Sequence, residues 1–168
     1  LAKVSALQAS LNSRAALIIS SVAMGGRIQS GFFKIVNSMK LTGLIAAPHT
    51  PFKADFSLNL DRVPDQAAHL AANGVTGAFV AGTTGESHSV STPERIEIFN
   101  AWGEVARANG VQFIAHIGHN NLPDARALAA AAREAGADAV SAMAPNFFKP
   151  VDAAALLDWF QRIVEPAA

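Results

Sequence analysis

Four times between residues 43 and 164 a short apolar run is followed by an alanine-rich stretch, and this alternation limits the possible folds more than any other feature. The runs are GLIAAP (43–48), GAFVAG (77–82), VQFIAHIG (111–118) and DAVSAMAP (138–145). Each is short enough for a buried strand, and each is continuous rather than alternating, as parallel strands covered on both faces require. The stretches after them predict helices over about 61–73, 93–109, 121–135 and 152–164. Gly74, Gly110 and Gly136 each fall between a helix and the next strand, where a residue in the left-handed region is wanted. These are repeated βα units at irregular spacing, which predicts a layered α/β fold rather than a solenoid.

Local signals refine the helices. Ser91 and Glu94 have the spacing of a capping box, with Pro93 just inside the helix. Ile98, Phe99, Trp102 and Val105 then recur at helical spacing, which assigns Trp102 to the core rather than to a ligand. With 51% hydrophobic and 15% charged residues, the chain has the composition of one folded domain. Thirteen basic residues balance thirteen acidic ones, and no basic stripe is interleaved with aromatics, so nucleic acid is not an expected partner. The absence of cysteine removes disulfides, thiol nucleophiles and Cys-built zinc sites, and fits a cytoplasmic protein. No apolar run reaches the roughly 18 residues that would span a bilayer, so no membrane association is expected.

Residues 1–54 contain no Asp or Glu but include Lys3, Arg14, Arg27, Lys34, Lys40 and Lys53. The segment AALIISSVA (15–23) has some likeness to the apolar part of a signal peptide. The chain does not begin with Met, however, and MKLTGLIAAPHTPF from Met39 reads as the start of a domain. Residues 1–38 are therefore expected to be an extension of little order, with the domain occupying 39–168.

The chemistry concentrates in GTTGES (82–87), between the second strand and the helix that starts near Pro93. In parallel βα architectures ligands bind at the carboxyl ends of the strands, where the loops gather. Gly82 and Gly85 would let backbone approach a ligand, and Thr83 and Thr84 offer hydroxyls and N–H groups to a carboxylate or phosphate oxygen. Glu86 would oppose an anion, so its expected role is to tie the loop to neighbouring backbone. A plain turn built from Gly and Thr would use the same residues.

Several motifs in sequence order add context: LTGLIAAPHTPF, GVTGAFVAGTTGES, STPER, IAHIGHN and GADAVSAMAPNFFKP. Together they resemble the N-acetylneuraminate lyase and dihydrodipicolinate synthase superfamily of class I pyruvate-binding aldolases, over roughly residues 40–168. HIGHN and APNFFKP are more similar to the lyase branch. The resemblance implies the first four βα units of a TIM (β/α)8 barrel, a truncated form of that fold. It also implies a reaction through a lysine Schiff base, with no metal or organic cofactor. Thr83, Thr84 and Gly85 would then hold the pyruvate carboxylate, with Thr83 a candidate for a proton relay. The implied partner is a small keto acid or sialic acid, and the implied assembly is a homo-oligomer, a tetramer in the full-length family. Dihydrodipicolinate synthase chemistry and a non-catalytic half-barrel assembly module are the alternative readings.

The chain departs from the family in one respect. It has no tyrosine, and it stops before the strands that carry the family's catalytic tyrosine and Schiff-base lysine. Lys149, Lys40 and Lys53 do not match the nucleophile position and are expected to be solvated. His116 and His119 form H-x-x-H at a strand end, where alternation keeps the two rings off one face and disfavours a shared metal. Asn120 and Asn121 suit a turn and a helix cap. His49, at the end of the first strand, is a candidate for touching substrate or, the favoured expectation, for closing a turn with Thr50 and Pro51, and Phe147 with Phe148 is a candidate pocket wall or ordinary packing. Four strands of a barrel leave two open edges and one apolar face uncovered, which predicts self-association, aggregation or a partly molten state.

Overall fold

In a computed structural model, which describes residues 16–20 and 41–167, five strands form one wholly parallel sheet. The elements are β1 (Ala16–Ser20), β2 (Leu44–Ala46), α1 (Val63–Ala72), β3 (Val75–Val80), α2 (Thr92–Ala108), β4 (Gln112–His116), α3 (Leu122–Glu134), β5 (Ala139–Met143) and α4 (Ala153–Val164). Their order across the sheet is β1-β5-β4-β3-β2. From β2 onward each strand is followed by a helix, and β3, β4 and β5 each lie beside the strand before, as in the opening units of a (β/α)8 barrel.

Strand alternation sorts the side chains into two layers. Ala78, Val80, Phe113, Ala115, Val140 and Ala142 face the helices and join Ile98, Phe99, Trp102 and Leu128 in the main core. Burying each large member contributes roughly 2–3 kcal/mol. Phe79, Ile114 and Ala139 face the other way and form a second cluster with Leu41. This second face corresponds to the barrel interior. The helices pack in succession, α1 on α2, α2 on α3 and α3 on α4. At the α2–α3 contact a Cβ on Gly103 would overlap the carbonyl of Ala135, so the mid-helix glycine is a packing requirement that its poor helix propensity conceals.

The helix ends follow their caps. Ser91 and Glu94 make the full capping box, with Ser91 N–H donating to Glu94 Oε2 at 2.8 Å. The hydrogen bonds from Ser91 hold the Glu94 carboxyl below its usual range. Asn121 and Asp152 cap α3 and α4 through their side-chain oxygens. Gly74, Gly110 and Gly136 all have positive φ, between 67° and 78°, as the helix-to-strand turns require.

Two expectations change. Strand β2 is not covered on both faces: it has three residues, and Leu44 and Ile45 are 62% and 37% exposed. It is a sheet edge, so nothing among the described residues packs beyond it. The expected extension of little order over residues 1–38 lies outside the described residues except for Ala16–Ser20, and those five residues are a strand paired with β5. The sheet edge expected to be open there is therefore covered.

Candidate functional site

The loops after β2, β3, β4 and β5 gather at the carboxyl ends of the strands, and hydrogen bonds join each to the next. From the loop after β2, the buried Thr50 hydroxyl donates to the carbonyl of Gly85 at 2.6 Å. Gln66 of α1 supports that loop by donating to the carbonyl of His49 at 2.9 Å. Arg95, in the first turns of α2, donates through Nη1 to the carbonyl of Gly118 at 2.9 Å and through Nη2 to that of His116. Asn120 Oδ1 accepts from the backbone N–H of Asn146 at 2.9 Å and from that of Phe147 at 3.4 Å.

Within this frame GTTGES folds back on itself. Glu86 N–H donates to the Thr83 carbonyl and Ser87 N–H to the Gly82 carbonyl, at 3.0 and 3.1 Å. Ala81 and Glu86 both have positive φ, 52° and 57°, an uncommon conformation for residues with side chains. A Cβ on Gly85 would lie 2.9 Å from Ala81 Cα, and one on Gly82 would strike the Phe79 ring. The glycines thus admit the chain's own close approach, where the sequence had suggested the approach of a ligand. The side chains of Thr83 and Thr84 are exposed at the tip, and Gly85 is buried beneath them. The tie expected of Glu86 comes instead from Thr50, while Glu86 is exposed.

Below the loop, on the barrel-interior face, the polar groups are buried. His116 and Ser141 are register partners on β4 and β5 and are 2% and 1% exposed. His116 Nδ1, Ser141 Oγ and Ser87 Oγ have no hydrogen-bond partner. Burial, and then the charges of Arg95 and His88, push the His116 imidazole down to about 3, so it is neutral near pH 7. Burial likewise pushes Arg95 down to about 10, which leaves it a cation held only by carbonyls. The His116 ring lies 5.8 Å from that of Phe79, tilted by 33°.

The two histidines of HIGHN are not brought together. His116 faces the interior, whereas His119 Nδ1 accepts from Asn121 N–H at 3.0 Å and lies 3.8 Å from Asp124, at the start of α3. Phe147 is 77% exposed and stands edge-on to Phe148, with ring centroids 4.9 Å apart. Lys149 and Lys53 are exposed, and Lys40 lies outside the described residues. Sequence reasoning gave Thr50 and Asn120 only turn roles and overlooked Arg95 and Ser141. Arg95 had a signal: it shares the helical face of Ile98, Phe99 and Trp102, and a charged residue on an apolar stripe is either paired or misplaced.

A parallel sheet with successive crossover helices and a clamped, hydroxyl-bearing loop at its carboxyl end defines an α/β domain built as the opening of a parallel barrel. Residues 40–168 match the model of the dihydrodipicolinate synthetase family, and the chain belongs to that family. It is 38% identical over 118 residues to the N-acetylneuraminate lyase of Danio rerio, covering 70% of this chain and 38% of that protein. Among solved structures it superposes on Proteus mirabilis N-acetylneuraminate lyase with a TM-score of 0.73 at 40% identity, covering 77% of this chain and 43% of that one. The dihydrodipicolinate synthase of Aquifex aeolicus follows at a TM-score of 0.68 and 28% identity, covering 73% and 41%. The chain thus spans about two fifths of the length of the relatives it matches. Their names support a lyase or aldolase-family function. No helix among the described residues is long and apolar enough to cross a membrane.

Proposed function

We propose that this chain supplies the carboxylate-holding part of a carbon–carbon lyase that cleaves N-acetylneuraminate to N-acetylmannosamine and pyruvate through a lysine imine. The observation that carries the reading is the Gly82–Ser87 loop, held from below by Thr50 with the Thr83 and Thr84 side chains exposed at its tip. Hydroxyl and N–H donors of this kind orient a keto acid by its carboxylate without a cation that would compete for the carbonyl. In the reaction a lysine amine adds to the keto carbon and water leaves. The imine accepts the electron pair of the C3–C4 bond as that bond breaks and the C4 hydroxyl proton passes to a base; the resulting enamine takes up a proton at C3, and water then hydrolyses the imine to release pyruvate and the free amine. Thr83 is the relay candidate on this chain, and Phe147 is a candidate for the outer wall of the pocket.

Lys53 and Lys149 are both exposed, whereas an amine that reacts at neutral pH needs desolvation or a neighbouring cation. The proposal therefore assigns the imine-forming lysine and its tyrosine to the portion of the relatives' length that this chain does not span. It holds the chain alone to be inactive, the complete assembly to be a cytoplasmic homo-oligomer, and the chemistry to need no metal or organic cofactor. The higher identity to the Proteus mirabilis lyase than to the Aquifex aeolicus synthase favours the lyase reading over synthase chemistry.

The test is borohydride trapping with pyruvate followed by intact-mass analysis, together with amide shifts on titration with pyruvate. The expected result is no adduct on this chain alone but a saturable shift of the Thr83–Ser87 amides, lost in Thr83→Val/Thr84→Val. An adduct on this chain, with Lys149 the first site to map, would overturn the assignment of the nucleophile. Pyruvate shifts that leave this loop untouched would overturn the carboxylate site and favour a non-catalytic module.

A further inference from the structure

The outer edge of β5 is where the sequence and the fold disagree most. An edge strand in a parallel sheet presents unpaired N–H and C=O groups that any extended segment can meet. One side of β5 is taken by β4. The other is taken by β1 in unbroken parallel register, from Ala16 opposite Ala139 to Ser20 opposite Met143. The strand comes from outside the family-matched region, which begins at residue 40, so it is no part of the shared architecture. Yet it stands where the next strand must pair for a barrel to close. Its sequence, ALIIS, is uncharged and mostly apolar, with two adjacent β-branched residues, Ile18 and Ile19.

We propose that the outer edge of β5 is a strand-acceptor site, filled in cis by Ala16–Ser20. The partner it fits is a parallel apolar strand of about five residues, and the chain's own segment keeps that edge from pairing with other chains. Tethering gives the segment an effective concentration on the order of millimolar. A competing strand supplied in trans must therefore exceed that level, or bring further contacts of its own, to displace it. The other edge shows what an unguarded one looks like, with β2 short and its Leu44 and Ile45 exposed. The lyase reading calls for the next barrel strand on this same edge, so in a complete barrel that strand is the competitor that displaces Ala16–Ser20.

Leu17→Pro and Ile18→Pro test it in the full chain. Successive N–H groups of a strand face opposite edges, so one substitution removes a hydrogen bond to β5 and the other removes a group facing away. Hydrogen exchange read by mass spectrometry follows residues 139–143. The expected result is exchange at least tenfold faster there in one or both variants, with residues 75–80 and 112–116 as protected as before. A peptide of residues 14–22 restores protection, and light scattering shows the unprotected variant associating with rising concentration. Unchanged exchange at 139–143 in both variants would overturn the proposal. So would a loss of protection shared equally by β3, β4 and β5, because it would make the segment part of the general core rather than the filler of an edge.

Discussion

The two ends of the sheet are built on different terms. At the amino ends of the strands α1, α2 and α3 return through glycines at positive φ; a Cβ added at Gly74 or Gly110 would have open space around it, and one at Gly136 would lie 2.9 Å from Arg107 Nη2. Beside that demand on the local backbone stand two long-range ties, Thr76 Oγ1 donating to the Thr42 carbonyl at 2.6 Å and Asp138 Oδ2 accepting from the Phe113 N–H at 2.7 Å. At the carboxyl ends the loops are held by side chains from distant parts of the chain: Thr50 to Gly85, Arg95 to Gly118 and His116, and Asn120 to Asn146 and Phe147. There the demand is for partners, and losing Thr50 or Arg95 leaves a buried polar group stranded. The end that carries the candidate chemistry thus depends mostly on buried long-range contacts, while the opposite end combines glycine turns with fewer and less buried ties.

Acid should widen this difference most. An unfolded chain protonates His116 below about pH 6.5, while the folded site resists until about 3. The stability linked to the neutral ring is fully present above pH 6.5. It is lost as pH falls through that window, with a limiting slope of about 1.4 kcal/mol per pH unit. Denaturant melts from pH 7 to 4 should show this slope in the wild type and a flatter one in His116→Leu. Equal slopes would mean that the ring is not desolvated.

Removing the guanidinium tests the ties themselves. Arg95→Ala leaves two buried carbonyls without donors and should cost about 3 kcal/mol in urea unfolding. Arg95→Lys should recover only part of that, because a single ammonium does not reproduce the planar fork. Full recovery by lysine would show that charge rather than geometry joins α2 to the end of β4.

The smallest effects come from a matched pair of glycine substitutions. Gly85→Ala forces a Cβ to within 2.9 Å of Ala81 Cα, and overpacking against backbone should cost about 2 kcal/mol and displace the loop. Gly110→Ala meets no neighbour and pays only for its positive φ, about 1 kcal/mol. Amide spectra should show the first perturbing Thr83–Ser87 and the second staying local. The reverse pattern would erase the distinction between the two ends.

This contrast also explains what could be read from the sequence. The four βα units, the Ser91–Glu94 box and the Trp102 stripe announce themselves because helix periodicity, capping and glycine turns are short-range rules, and all appear close to where they were expected. The Thr50–Gly85 tie spans 35 residues and the Asn120–Asn146 tie 26, and no local pattern couples such positions. Strand β1 was missed for the same reason. ALIIS has strand propensity, but nothing near it indicates that its neighbour lies more than a hundred residues ahead at Ala139–Met143. The GTTGES loop was found from its composition, whereas the use of its glycines became clear only when Phe79 and Ala81 were seen against them.

The loop ties have a consequence for the accuracy of fit. Links in series accumulate play, and each added link widens the latitude of the last member. The Gly82–Ser87 loop is restrained on both sides, by Thr50 before it and by the Arg95 anchor on the helix after it. The Asn146–Phe147 segment is joined to the series through Asn120, at its end. A molecule gripped across this rim meets tight tolerance at the threonines and loose tolerance at the phenylalanines, so selection should be strict for the group seated at the first and lenient for whatever reaches the second.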